Sequence, residues 1–580
     1  MTKELELSDI QGNIVRAYGK ANYPKARYFF LHIENAESGR KFVESVRHKI
    51  TTAARWDKSA EMEGMPGGMP RVTLNIAFTF YGLLALQLPT RTLQAMPPEF
   101  IDGMKARAYI LGDADPELSK EELESSATQY ESSPLSDGKV ATPNWLKKWD
   151  PIWRDSTRLG SNAVHVWMSM NAKTKVKMEN GHPLLTEEPV GELEQQTQWL
   201  RDLCAEVGGV RIMTLDGKKG GPEYQEGSAI FEEIEGLGAV PLPHEHFGFA
   251  DGIGDPVFEG QHKPEDEKRL VLGRGKWMTP EKGWEPLATG EFILGHPDES
   301  QELPPTAPPD EFTRNGSFLV YRKLHENVSS FRKYLADQAK IFAQIMSVSE
   351  DEAKDTLGAK MIGRWHDGIP LSKAPTYEAW QATRKKWNMS GGSRKDDFLG
   401  MLDYRGSSDI SDFKFGDDIR GYKCPNGAHL RRTNTRDYLD PLNQPDSDNP
   451  NATTQLNKRR RILRRGLPYG EPRLGAGTDD TDQGVNFMVV CANIFRQFEF
   501  VQQQWIQYGL DFNQGNNTCP ILGNHSIHKR HTIPVDPATG KPPYICDNLP
   551  QFVETRGGDY FFIPSMTALR MMAMGIVDPT

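Results

Sequence analysis

The strongest constraint on the fold is an order of elements that the chain spells twice. Ala26–Ile33 is a short aromatic and apolar run that reads as a buried strand. Ser38 then opens an amphipathic helix to about Ile50, with Phe42, Val43, Val46 and Ile50 on one face. Val72–Phe80 alternates as a strand does, Tyr81–Leu86 reads as helix, and Ala163–Met170 alternates again. Leu193–Val207 is a further helix and Val210–Leu215 a closing strand. A comparable order returns after Phe247: strand Phe318–Tyr321, helix Val328–Met346, strand Phe487–Val490, helix Ile494–Tyr508 and strand Tyr560–Ile563. Repeated strand–helix–strand units of this kind fold as ferredoxin-like α+β units with antiparallel sheets. The expected fold is two such halves, residues 1–235 and 236–580. Segments 143–155, 261–286, 296–312 and 436–458 read as charged or Pro-, Asn- and Asp-rich loop insertions on that plan.

A chain of 580 residues is long enough for two domains and a large core. With 37% hydrophobic and 26% charged residues it has the balance of an ordinary water-soluble globular protein. A net charge of −10 argues against a dedicated nucleic-acid binder. The five cysteines are scattered, with no Cys-x-x-Cys pair, so neither a zinc knuckle nor a dense disulfide framework is expected. The charged start lacks the apolar core of a signal peptide, and no run of about 18 apolar residues exists, so no membrane span is expected. A cytoplasmic location is the default, although a secreted form with its leader removed would read the same.

Three stretches carry chemistry. In Gly248-Phe249-Ala250-Asp251-Gly252 one carboxylate stands between two glycines, which permit backbone conformations other residues resist. An acid there is fixed in position and partly desolvated, and suits proton transfer. In Cys424-Pro425-Asn426-Gly427-Ala428-His429-Leu430-Arg431-Arg432 one histidine lies between a turn and two arginines. The third is Arg461-Ile462-Leu463-Arg464-Arg465-Gly466-Leu467-Pro468-Tyr469-Gly470, where Ile462 and Leu463 interrupt the basic run Lys458–Arg465 and suggest that its end turns inward. Taken singly, each has a bland reading: a surface turn, a loop histidine and a solvated basic face. His244-Glu245-His246 and the trio His525, His528 and His531 read more readily as packing and loop histidines than as metal sites.

In this order the three stretches resemble the dye-decolourising peroxidases, a family of haem enzymes. Further matches run along nearly the whole chain: Leu7–Ile14, Gly290–Gly295, Gly316–Arg322, Gly363–Leu371, Arg496–Phe500 and Phe562–Arg570. The longer C/D-type subgroup is the better match. Gly466 falls where one bacterial subgroup carries an asparagine, and Gly254-Asp255-Pro256 replaces the frequent Ser-Gln-Pro, which adds a second carboxylate.

The resemblance implies haem b (iron protoporphyrin IX) held by the second half, with His429 as the axial ligand and metal-binding residue. It implies Asp251 as the acid–base group for peroxide and Arg464 as the fixed cation beside it. Arg431, Arg432 and Arg436 are all candidates for the haem propionates, since guanidinium forks suit carboxylates, and Phe487 is a candidate to pack over the haem face. A carboxylate partner for His429 is expected, with Glu499 and Asn493 the positions to watch. The implied function is a peroxidase that takes hydrogen peroxide and small or bulky aromatic electron donors, without nucleic-acid or membrane partners; a homo-oligomer is left open. The competing readings are a haem-binding protein for iron handling or peroxide sensing, and a nucleic-acid binder using the basic run.

Overall fold

The computed structural model describes the chain except residues 1–4, 22, 57–67, 114–143, 305, 445–448, 526–527 and 576–580. In the first half β1 (Lys25–Ile33) pairs antiparallel with β3 (Val166–Ala172), and β3 pairs antiparallel with β2 (Val72–Phe78). The other edge of β1 takes β4 (Val210–Ile212) and β5 (Tyr224–Ser228). Two helices, α1 (Ala36–Arg47) and α2 (Glu192–Val207), fill the crossovers. The second half repeats the plan with β6 (Ser317–Glu326) at its centre, flanked by β8 (Gly484–Cys491) and β9 (Val553–Ile563), with the short β7 (Leu463–Arg464) outside β8. Numbered within each half, both sheets have the order 4-1-3-2, which is the ferredoxin-like order expected from the sequence.

The halves meet edge to edge. β9 pairs with β2 at Phe562 and Phe78, and on the far side the Asn486 amide of β8 donates to the Glu226 carbonyl of β5 at 2.9 Å. Alternation then sorts the side chains. Tyr28, Phe30, Trp167, Leu319, Tyr321, Met488 and Phe561 pack together between the two sheets. Phe29, Leu31, Phe42, Val46, Ile76, Met168 and Leu200 form the core beneath α1 and α2. Each fully buried large apolar side chain of this kind contributes about 1.5–3 kcal/mol.

Helix boundaries follow local chemistry. α1 begins two residues before the expected Ser38, because the Asn35 side chain accepts the Ser38 N–H and so caps the helix. α3 (Val328–Met346) has the expected bounds. The segment expected as helix from Ile494 is wound as π-helix, Phe495–Glu499 and Val501–Ile506, which apolar periodicity alone does not distinguish from α. Several expected loops carry structure: helices Asn144–Lys147, Pro151–Arg154 and Pro264–Leu270, and a ribbon of Lys276–Trp277 with Trp284–Glu285. Three helices not foreseen, α4 (Glu350–Ile362), Tyr377–Lys386 and Arg394–Gly406, cover the second half. Among the described residues no helix is long and apolar enough to cross a membrane.

Candidate active site

Asp251 is held by its backbone. Gly248 and Gly252 have φ of 98° and 71°, the left-handed region where glycine carries no Cβ penalty, so the turn needs both. The Asp251 N–H donates to the Pro243 carbonyl and the Ala250 N–H to the His366 carbonyl, both at 2.8 Å. The Asp251 carbonyl accepts from Arg405 Nη2 at 2.8 Å. Upstream, the Glu245 carboxylate accepts the Phe247 and Phe249 N–H groups at 2.6 and 2.8 Å. Glu245 also shares a hydrogen bond with Glu326; burial first, then the charge of Asp251 on Glu245 and that of Glu245 on Glu326, pushes both carboxyls above their ordinary range.

Arg464 reaches the same place from β7. Leu463 is fully buried and anchors the strand, so the basic run does turn inward. Arg464 Nη1 donates to Asp251 Oδ1 at 2.7 Å and Nη2 to the Ile253 carbonyl at 2.7 Å. Burial opposes its charge, but Asp251 and Asp255 outweigh that and hold the guanidinium pKa above its ordinary value. Asp255 fixes the strand, accepting the Arg464 N–H at 3.1 Å and Arg465 Nη1 at 3.0 Å. Arg465 also donates to the Asn13 and Ile14 carbonyls, a structural tie to the first half. The Asp251 side chain is 48% exposed and that of Arg464 35%. The desolvation expected for Asp251 is therefore replaced by an ion pair on an open wall.

That wall belongs to a cavity of about 570 Å³ that also takes in Gly254, Arg405, Ile410 and the inner faces of the two sheets. A second cavity of about 300 Å³ lies on the helix side of the second sheet, bounded by Leu324, Thr433, Ile462, Val501 and Ile506. Phe487 lines both and divides them.

His429 begins the short helix α5 (His429–Thr433) and is partly exposed. It lines neither cavity; Thr433, four residues on, lines the second. Its Nδ1 lies 3.3 Å from Cys519 Sγ, leaving Nε2 as the ring nitrogen available to a ligand. The carboxylate partner expected for His429 is not at either position watched. Glu499 is buried in a two-pronged pair with Arg107 and accepts from the Tyr560 hydroxyl at 2.8 Å. Asn493 Oδ1 accepts the Arg496 N–H at 2.8 Å.

The three candidate propionate arginines differ sharply. Arg431 is bound to Asp418 Oδ2 at 3.0 Å and to the Cys424 and Asp418 carbonyls, between the rings of Phe415 and Tyr438. Arg432 donates to four carbonyls, those of Gly427, Trp505, Tyr508 and Asn517. Arg436 is 2% exposed and makes one hydrogen bond, Nη1 to the Phe413 carbonyl at 2.6 Å. Its Nε and Nη2 have no partner among the described residues. Burial, and then the positive neighbours Arg461 and Arg364, push its pKa well below the ordinary value. A buried guanidinium with two open donors and like-charged neighbours suits a carboxylate, and in that chemistry it fits a group with acidic arms, while Arg436 itself lines neither cavity.

Other clusters are structural. His246 Nε2 faces the Tyr469 carbonyl at 2.8 Å, and His531 lies in a strand, its Nε2 at 3.0 Å from the Lys360 carbonyl. Among the described residues no group of His, Cys, Asp and Glu is arranged to hold a metal ion by itself. The basic run is bound to the protein: Lys458 pairs with Glu299, Arg459 with Asp298, and Arg460 lies 3.6 Å over the Phe500 ring. Sequence reasoning missed Arg405 and Cys519, which lie in segments without a distinctive local pattern.

Residues 9–156 match the model of the DyP dimeric alpha+beta barrel domain. Peroxidase 2 of Mycetinis scorodonius is 25% identical over 98% of this chain and 87% of its own length. The dye-decolorizing peroxidase msp1 of the same organism is 27% identical, but the match spans only 56% of either chain. The fold is that of the fungal DyP-type peroxidase from Auricularia auricula-judae, with a TM-score of 0.66 and 22% identity over 98% of this chain and 100% of that one. An ancestral D-type dye decolorizing peroxidase gives a TM-score of 0.65 at 23% identity, over 98% of this chain and 99% of that one. Residues 9–156 carry the DyP dimeric alpha+beta barrel domain, and over nearly its whole length the chain is similar to dye-decolourising peroxidases, fungal D-type members among them.

Proposed function

We propose that the chain is a haem b peroxidase that reduces hydrogen peroxide and oxidises bulky or phenolic organic donors. The observation that carries this reading is the 2.7 Å pair of Arg464 and Asp251, accessible from a cavity and fixed from both sides by backbone hydrogen bonds. In this reading His429 Nε2 holds the iron and Arg436 holds a propionate. A haem bound there would supply the two-electron redox chemistry for peroxide cleavage, with organic donors returning the electrons one at a time.

The Asp251 carboxylate takes the proton from the near oxygen of peroxide and delivers it to the far oxygen, so that water leaves. Arg464 is already oriented, and its fixed charge stabilises the negative charge that develops on the oxygens. The same guanidinium holds the Asp251 carboxylate in position through its 2.7 Å hydrogen bond. Phe487 walls the site from the helix-side cavity and limits water.

The test is the visible spectrum of the purified protein before and after one equivalent of hydrogen peroxide. A ferric-histidine Soret band that shifts with peroxide and recovers with a phenolic donor supports the reading. Loss of that band in His429→Ala supports the assignment of the ligand. A haem band indifferent to peroxide would overturn the peroxidase reading.

A further inference from the structure

A histidine that binds a metal through Nε2 nearly always donates its Nδ1–H to a carboxylate, a backbone carbonyl or water, which fixes the ring and sets its basicity. Here the group at Nδ1 is a sulfur, Sγ of Cys519, at 3.3 Å. Cys519 is fully buried. Its main chain is pinned: the N–H donates to the Ile506 carbonyl at 2.7 Å, and its own carbonyl accepts the Gly523 N–H at 3.0 Å. His525 Nε2 lies 2.9 Å from that same carbonyl.

The helix that carries His429 is clamped onto this segment. Arg432, three residues on, donates to the carbonyls of Trp505, Tyr508 and Asn517, the last only two residues before Cys519. The Nδ1 to Sγ contact is therefore held by structure on both sides. Glu499 and Asn493, the two positions expected to offer His429 a partner, are committed elsewhere.

We infer that Cys519 is the positioning residue of His429: its Sγ accepts the Nδ1–H and so presents Nε2 as the unprotonated, ligating nitrogen. Toward iron this deepens, and rests on, the haem peroxidase reading. A neutral sulfur is a weaker acceptor than a carboxylate. It leaves the imidazole less electron-rich, and a less electron-rich axial ligand favours ferrous over ferric iron. This chain is thereby set toward a higher ferric/ferrous potential than a carboxylate at the same position would give.

Two measurements on the full chain test this, each with Cys519→Ala, Cys519→Ser and Cys519→Asp; the serine variant guards against misfolding of the alanine one. In the haem-free protein, 15N NMR of the His429 ring reports the tautomer. The expected result is the Nδ1–H form in the native chain, giving way toward Nε2–H in Cys519→Ala. Nε2–H in the native chain would overturn the proposal. In the haem-loaded protein, the ferric/ferrous midpoint potential and the iron–histidine stretching frequency are compared. The potential should rise from native to Cys519→Ala and fall in Cys519→Asp, with the stretch moving the opposite way. Haem affinity should drop by about tenfold in Cys519→Ala. Identical potentials and stretches in all variants, with haem still ligated by His429, would also overturn it. Failure of the peroxidase reading looks different: no variant takes up haem through His429, and the NMR experiment alone then decides the Cys519 contact.

Discussion

Arg464 Nη1 and Asp251 Oδ1 stand 2.7 Å apart although 213 residues separate them in the chain. One comes from the outermost strand of the second sheet and the other from a glycine-framed turn, and Asp255 links the two elements by accepting the Arg464 N–H. Substituting either member should slow the reaction with peroxide. Asp251→Asn removes the proton acceptor and is expected to cost about 10²–10⁴-fold in the rate of the first oxidised species. Arg464→Leu removes fixed charge and is expected to cost about 10²–10³-fold. Stopped-flow mixing with peroxide reads both. Rates within twofold of the native protein would remove the residue from the step.

Arg436 predicts a change of opposite sign in two states. Arg436→Leu removes a buried cation with two unpartnered donors, so the haem-free chain should become more stable or remain unchanged. The same substitution should weaken haem binding by roughly 2–5 kcal/mol, the usual loss when one member of a buried charged pair is truncated. Thermal melts without haem and haem titration of the apoprotein test the two halves separately. Arg432→Ala is the contrast: it leaves four carbonyls without their donor and should destabilise both states, by about 1–3 kcal/mol or more.

Gly466 is required by space. A Cβ there would fall 1.9 Å from the Asn486 carbonyl oxygen of β8. Gly466→Ala should push the strand carrying Arg464 away from β8 and cost about 1–3 kcal/mol. A melting temperature equal to that of the native protein would show that the strands do not approach so closely.

The Glu245 and Glu326 carboxyls give stability a pH dependence. Both pKa values are raised from 4.5 by burial, so the folded state binds protons more tightly than the unfolded chain. Their contribution is complete below the unfolded value and is lost as the pH climbs from there through the raised folded values. Urea unfolding midpoints should therefore decline with rising pH in the native chain and decline less in Glu326→Gln. An unchanged slope in the variant would show that the pair does not contribute.

Most of the fold and part of the site were legible in the sequence because they rest on local rules. Strand alternation and helix periodicity depend on neighbours within one element, so two ferredoxin-like halves and helices such as Val328–Met346 could be read directly. The glycines around Asp251 were legible because positive φ excludes most other residues. The inward turn of the basic run was legible because Ile462 and Leu463 have no reason to face water.

What only the tertiary structure decided is which groups meet. Arg431, Arg432 and Arg436 are alike as sequence; Asp418, four backbone carbonyls and a pocket of like charge make them different. Glu499 looked available to His429 until Arg107 and Tyr560 claimed it, and Cys519 carried no signal until the clamp of Arg432 brought it to the imidazole. Local pattern determines how each segment folds. The partner of a buried charge or ring nitrogen is set by long-range packing, which no single segment encodes.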